Sequence, residues 1–591
     1  MHLPSLALSL ALLSSLPLTA GGQTPTSSEP VRIVVAAGTS GDLAKALDEA
    51  LERFTLEPDA DEADEELALR RAERAAREVL ATEGYFEPVL RFELNPAQTP
   101  RYRLLVEVGP LTRVARVDLE FTGAISQPEF AARAEALRQS WPLPVGSAFR
   151  SAQWDDAKSR LLAAVQARDF AAAQIVASSA EVEVEKSSAN LKFQIDSGPA
   201  FRLGPLKIEG LKRFEPALVE RFNPFKPGDP YDRNRLAEFQ QALQNTAYFG
   251  GAVATVDLNP ATADNAPLLI ELREAPIRRF AAAVGYGTNN GAHLEMLYRQ
   301  SLTFDQPYPL QSGFRIDQNG GFAYADLFFP PQRGGARDSV GVLYEDSDIQ
   351  DLQIRRWGIG AVRSHLRGPR DGQNNETQWS INFEHELRKT PLDPQIELNT
   401  LSTTYSWIRR NVDDVTNPRR GNLLRLEGSV GASGVSTDDL FVRGYGRIVQ
   451  YLPLGERDVL ILRGELGGVE AESADSVSNT FLFRTGGSTT VRGYNFESLG
   501  VEQGGAIVGG RALVVGSVEV VHWLQRWAGR WGIAAFLDAG DAAETFKDID
   551  LALVYGLGLR WRTPVGPLAI DVAYGERYSQ VRVQFSVAIA F

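Results

Sequence analysis

The sequence predicts a transmembrane β-barrel of about 16 antiparallel strands preceded by three small α+β domains, and three observations carry that expectation. The second half alternates apolar and polar residues with a period of two. The first half repeats a mixed pattern of strands and helices roughly every 80 residues. No internal run approaches the ~18 to 20 apolar residues that a membrane helix needs, although 43% of the chain is hydrophobic.

At the N-terminus, MHLPSLALSLALLSSLPLTAGG has an apolar core from Leu6 to Leu18 followed by small residues, the form of a secretory signal peptide over 1–22. The mature chain is then expected to begin near Gly22. The 61 Lys+Arg against 75 Asp+Glu leave a formal charge of −14, which excludes a binder that works by neutralising nucleic-acid phosphates. The absence of cysteine removes disulfides, thiolate metal sites and thiol chemistry. His2, His293, His365, His385 and His522 show no paired ligand spacing. They are expected at rims or surfaces, with no metal and no cofactor.

Three marks recur through the first half. A helix ends in an aromatic pair or its remnant at Glu83-Gly84-Tyr85-Phe86, Ala167-Arg168-Asp169-Phe170 and Thr246-Ala247-Tyr248-Phe249. A strand closes each unit at Val108-Gly109-Pro110, Asp196-Ser197-Gly198-Pro199 and Arg273-Glu274-Ala275-Pro276. Strands at Val114–Leu119 and Leu206–Ile208 open the second and third units and run to Gly123 and Gly210. Each unit reads β-α-α-β-β, which sets expected domains at 23–110, 111–199 and 200–276. The helix Glu65–Leu80 places Leu67, Ala68, Ala72, Ala75, Ala76, Val79 and Leu80 on one side, a face that needs a sheet to cover it. The acidic run Glu57–Glu66 reads as a solvated loop between helices.

From 277 to 591 the strands follow one another. Val581, Val583, Phe585, Val587, Ile589 and Phe591 alternate with Arg582, Gln584, Ser586, Ala588 and Ala590. The same parity sets Tyr555, Leu557, Leu559 and Trp561 against Gly556, Gly558 and Arg560, and Trp379, Ile381 and Phe383 against Ser380, Asn382 and Glu384. Lipid leaves no backbone group free to bond water, so a strand-built span must close on itself. Roughly 315 residues at about 20 per strand and connection give on the order of sixteen strands. A soluble sandwich also alternates, but one this large with a terminal aromatic strand fits poorly.

The segment Phe483-Arg484-Thr485-Gly486-Gly487-Ser488-Thr489-Thr490-Val491-Arg492-Gly493-Tyr494, with Leu499-Gly500 after it, resembles the signature loop of the outer-membrane assembly superfamily. Members of that superfamily join POTRA domains to a bacterial surface antigen barrel. The resemblance implies that the loop folds back into the barrel and that Arg492 meets an acidic residue in an aromatic-x-Asp-x-Gly strand. Phe536-Leu537-Asp538-Ala539-Gly540 fits that pattern. Arg492 and Asp538, with Val491, Gly493, Tyr494, Phe536 and Gly540 around them, are thus the implied site. If Ile533, Ala535 and Leu537 face lipid, then Phe536 and Asp538 face inward. Thr563–Leu568 and Asn417–Gly421 resemble structural turns of the same family.

Three repeats point within the superfamily to the TamA-like branch, the translocation and assembly module. That resemblance implies a bacterial outer-membrane location with the POTRA domains in the periplasm. It also implies a TamB-like inner-membrane-anchored partner and unfolded outer-membrane protein clients. No covalent chemistry is implied, and the chain carries no GxSxG and no P-loop lysine. The family mechanism would act at a seam between the first strand, Phe280–Gly287, and the last, Gln580–Phe591, where a client strand pairs with an exposed edge. In the first strand Phe280 and Val284 face lipid, while Ala281, Ala283, Gly285 and Gly287 face inward. Glycine at Gly285 and Gly287 reads equally as a weak seam partner or as tight packing. A two-partner-secretion-type translocation pore is the alternative.

Overall fold

The computed structural model describes residues 33–35, 41–54, 61–94, 102–332, 335–368, 373–434, 440–525, 529–563 and 566–587. The expected signal peptide, Glu57 at the start of the acidic run, Pro564-Val565, and the chain end including Phe591 lie outside them. The chain forms two compact units. One reaches to Gly204 and includes Pro227–Arg233 and Leu258–Ala266; the other holds Pro205–Lys226, Asn234–Asp257 and the chain from Pro267 onward.

In the first repeat β1 (Ile33–Val35), α1 (Gly41–Leu51), α2 (Glu62–Thr82), β2 (Val89–Leu94) and β3 (Tyr102–Glu107) follow in order, and the sheet runs β1-β3-β2. Leu47 and Leu51 of α1 pack with Ala72, Ala76 and Leu80 of α2 and Leu104 of the sheet. Leu67, expected on this face, is 47% exposed. Five residues before Ala72, it is rotated about 140° from it around a helix of 3.6 residues per turn. The later part of the acidic run is not a loop. Glu62, Asp64 and Glu65 form the first turn of α2, where their charge favours the helix dipole and Asp61 accepts the Asp64 N–H at 2.8 Å.

The second repeat is β4 (Arg113–Thr122), α3 (Ala131–Gln139), α4 (Ser151–Gln166), β5 (Gln174–Glu183) and β6 (Ser188–Asp196), with sheet order β4-β6-β5. Trp141, Trp154 and Phe193 fill its core, the two tryptophan rings meeting edge-on at 5.9 Å. Asp169, which stands where the other repeats carry Tyr, has φ 58° and pairs with Arg133, whose guanidinium lies over Phe170.

The third repeat is β7 (Leu203–Glu209), α5 (Pro216–Glu220), α6 (Arg233–Gln244), β8 (Phe249–Val256) and β9 (Ala266–Glu274), with order β7-β9-β8. Tyr248, fully buried, donates its hydroxyl to the Pro307 carbonyl in the first barrel turn on its side, at 2.8 Å. At the other end of the repeat Glu274 accepts the backbone N–H groups of Lys212 and Arg213 at 2.8 and 2.7 Å, and the Arg213 Nε at 2.6 Å. Burial alone would raise its pKa; these donors outweigh it and hold the carboxyl down at about 2.

The barrel follows directly. Its strands are β10 (Arg278–Gly287), β11 (Gly291–Gln300), β12 (Leu310–Asp317), β13 (Gly320–Phe328), β14 (Ala336–Ile349), β15 (Leu352–Arg367), β16 (Gln373–Lys389) and β17 (Ile396–Val412). Then come β18 (Gly421–Ala432), β19 (Leu440–Leu454) and β20 (Asp458–Glu470). A long loop carries the small hairpin β21 (Val501–Gln503) and β22 (Ala506–Val508). The wall resumes with β23 (Ala512–Trp523), β24 (Trp531–Ala543), β25 (Ala552–Thr563), β26 (Gly566–Gly575) and β27 (Gln580–Val587). Sixteen strands form one sheet in chain order, each antiparallel to the next. The period of two sends Ile381, Trp379, Leu537, Leu557 and Val572 to the outer face, and it buries Asp538, Glu519 and Asp571 on the inner one. His293 on β11, two residues from the β10–β11 turn, faces inward with its ring beside Gly285.

Candidate functional site

Between β20 and β23 the chain turns back against the inner wall. Val491, Arg492 and Tyr494 are almost completely buried. Val491, Leu499 and Phe483 join Val515, Phe536 and Val554 of the wall in one apolar cluster, which fixes the loop by burial. Two consecutive glycines, Gly486 and Gly487, take φ of 103° and 106° and make the bend that other residues resist.

Arg492 is the centre of the polar contacts. Its Nε and Nη2 donate to the two carboxylate oxygens of Asp538, each at 2.7 Å, and its backbone N–H donates to Asp538 Oδ2 at 3.1 Å. Nη1 donates to Glu519 Oε2 at 2.9 Å and lies 3.6 Å from Asp571 Oδ2. The guanidinium plane sits 3.4 Å above the Phe536 ring. Glu519 also accepts from Arg463 at 2.9 Å and from Arg560 at 2.9 Å, and Arg560 donates to Asp571 at 2.6 Å. Arg492, Arg463 and Arg560 thus balance Asp538, Glu519 and Asp571, so no buried charge is left without a partner in this group.

Inward glycines on β25 make the room. A Cβ on Gly556 would stand 2.3 Å from Phe536 Cζ, and one on Gly558 would stand 1.9 Å from Asp571 Oδ1. Gly540 leaves space for Val491, whose Cγ2 would be 2.7 Å from a Cβ there. Gly493 has φ 86° and gives its N–H to Gln584 Oε1 on β27 at 3.3 Å, while Gln584 Nε2 donates to the Tyr494 carbonyl at 3.1 Å. The Tyr494 hydroxyl accepts the Arg577 N–H at 3.0 Å.

The ascending limb of the loop is held on the opposite arc. Buried Glu386 accepts the Ser478 hydroxyl at 2.8 Å and the Asn479 N–H at 3.0 Å, and Arg388 donates to the Asp475 carbonyl at 2.9 Å. Arg443 donates to the Phe481 carbonyl at 3.2 Å. The loop is therefore tied to several strands around the wall.

The seam lies beside it. β10 and β27 end the sixteen-strand order, and no ladder joins them among the described residues. The Thr288 hydroxyl bridges the gap: it accepts the Phe585 N–H at 2.7 Å and donates to the Phe585 carbonyl at 3.3 Å. Phe280 and Val284 project outward, 80% and 83% exposed to what would be lipid, and Phe280 stacks on Tyr298 at 4.7 Å. Gly285 has a packing reason, since a Cβ would fall 2.6 Å from the His293 ring; at Gly287 a Cβ would meet Asn290 at 3.0 Å. Gln580 begins β27 and Phe585 lies within it, half-buried.

Sequence reasoning brought Arg492, Asp538, Phe536, Val491, Gly493, Tyr494 and Gly540 into one site, and the structure places them together. It did not single out Glu519, Arg463, Arg560, Asp571 or Gln584. Their signal was available, because each is a polar residue on the inward parity of an apolar strand. Thr288 and Asn289 sit in a turn and carried no such signal.

Residues 282–591 match the family model described as the Omp85 superfamily domain, and residues 201–275 match the POTRA model described as a surface antigen variable number repeat. The chain is 22% identical over 408 residues to the outer membrane protein assembly factor BamA of Nitratidesulfovibrio vulgaris, covering 65% of this chain and 50% of that protein. It is 21% identical over 420 residues to BamA of Neorickettsia risticii, covering 65% of this chain and 54% of that protein. The chain spans about half the length of these curated relatives. The crystal structure of BamA from Haemophilus ducreyi lacking POTRA domains 1-3 aligns with a TM-score of 0.62 at 15% identity, over 80% of this chain and 98% of that one. At that identity the likeness is one of fold.

Proposed function

The chain belongs to the Omp85 superfamily, and from that premise we propose that it is an assembly and insertion factor for outer-membrane proteins. Its barrel lies in the outer membrane and its POTRA domains lie in the periplasm. The observation that carries the reading is the seam. Among the described residues the first and last strands of a sixteen-strand barrel are joined through the Thr288 hydroxyl at Phe585. Unpaired backbone groups facing lipid are costly, so a seam edge that opens gains by accepting a partner strand. A client strand pairing with β10 by β-augmentation satisfies it without any covalent step.

The finer reading is a TamA-like factor that acts on autotransporters or other β-barrel clients together with a TamB-like inner-membrane-anchored subunit. It rests on three repeats, with proposed bounds 23–110, 111–199 and 200–276 ahead of a barrel at 277–591. The rival is a translocation pore, which would require the docked loop around Arg492 to leave the lumen. Depletion of the protein followed by a catalogue of the outer-membrane proteome tests the choice. Loss of several barrel proteins is expected; loss of one secreted substrate with the barrels intact would sink the assembly reading.

A further inference from the structure

The turn between β10 and β11 reaches two different segments with two adjacent side chains. Thr288 grips Phe585 of β27 through both backbone groups of that residue, joining the two ends of the strand order at this point. Asn289 turns the other way, and its Oδ1 accepts the N–H of Ser488 in the lumenal loop at 3.0 Å. Its carbonyl accepts Asn319 Nδ2 from the neighbouring turn at 3.1 Å, which holds Asn289 in position. Gly487 passes so close that a Cβ there would stand 2.9 Å from Asn289 Oδ1.

The loop in turn holds β27 one residue away, through Gln584 and the backbone of Gly493 and Tyr494. Three segments therefore close a ring: turn to last strand, last strand to loop, loop to turn. We propose that Thr288-Asn289 is the clasp of the seam, which keeps β10 against β27 until both of its grips release together. The proposal rests on the strand-pairing function and supplies its control. The contacts are neutral hydrogen bonds, each weak enough to exchange for a client's backbone and jointly sufficient to bias the seam shut. Arg492 remains with Asp538, Glu519 and Asp571 during release, so the loop stays with the last strands while the first hairpin departs.

The chain has no cysteine, so a labelled pair can be placed in the full-length protein. Val284→Cys and Val583→Cys put spin labels on outward positions of the two seam strands, and their separation is read by pulsed electron resonance in phospholipid vesicles without any client. In the Thr288→Val/Asn289→Ala protein the ratio of long to short separations is expected to rise at least about tenfold, as three lost neutral hydrogen bonds imply. Thr288→Ser keeps the hydroxyl and should stay within about twofold of the parent. Heat-dependent gel mobility confirms that each variant holds a folded barrel. A double variant as closed as the parent, or a Thr288→Ser seam as open as Thr288→Val, overturns the clasp. Because no client is present, this result stands apart from the depletion experiment, whose failure would leave the clasp untouched.

Discussion

Arg492 and Asp538 meet as a two-pronged fork at 2.7 Å on both prongs, and the Arg492 backbone N–H adds a third bond to the same carboxylate. Backbone and side chain of one loop residue are thus fixed by one residue of the wall, so the pair sets both the position and the direction of the loop.

Arg492→Ala leaves Asp538, Glu519 and Asp571 facing only Arg463 and Arg560. Removing one partner of a buried pair typically costs about 3 to 5 kcal/mol, so the loop should undock and the barrel melt earlier. Arg492→Lys keeps the charge and loses the fork, with a smaller cost of about 1 to 2 kcal/mol. Limited proteolysis across 484–500 reads the undocking, and Arg492→Ala with Asp538→Ala should cost less than the sum of the single changes.

Gly558→Ala places a methyl 1.9 Å from Asp571 Oδ1, and Gly556→Ala places one 2.3 Å from Phe536 Cζ. Each should destabilise by about 1 to 3 kcal/mol through overpacking, with Gly558→Ala also weakening the Arg560–Asp571 contact. Thermal shift of heat-dependent gel mobility measures both. Gly516→Ala, where nothing lies within 4 Å of the added carbon, is the neutral control.

Glu274 titrates near 2 in the fold against an ordinary value of 4.5. A depressed carboxylate stabilises fully above about pH 4.5, and that contribution is lost as pH falls toward 2. Denaturant melts of the full chain, followed by a probe in the third repeat, should therefore lose stability across that window. Glu274→Gln should start about 1 to 3 kcal/mol lower at pH 7 and change less with acid.

Locking the seam tests its role directly. Gly287→Cys with Ser586→Cys brackets the Thr288–Phe585 contact, and oxidation should stop client assembly in reconstituted vesicles. Reduction should restore it. Assembly that continues at the parental rate in the oxidised protein would remove strand pairing at this edge from the mechanism.

The wall was legible because lipid outside and water inside impose a two-residue period that no soluble core needs so uniformly. Leu557, Leu559 and Trp561 announce their face by alternation alone. The fork at Arg492 was legible through a local motif, yet the rest of its charge group was not. Parity places Glu519 and Arg560 inward, but which inward charges touch depends on strand stagger around the barrel, which alternation does not encode. Leu67 and the acidic turn of α2 were misread because propensity and charge fix neither a helix's rotation nor its starting residue. Gly285 resisted a single reading for a related reason. Its meaning depends on His293, a neighbour eight residues on in sequence but opposite it across a hairpin.

The three acids that hold Arg492 lie on β23, β24 and β26, and Gln584, which holds the backbone beside it, lies on β27. Every one of them follows the loop in the chain. The Arg492 end of the loop consequently has no partners until the strands from Ala512 onward have paired. A chain truncated or stalled before β26 therefore carries Arg492 without its full set of partners.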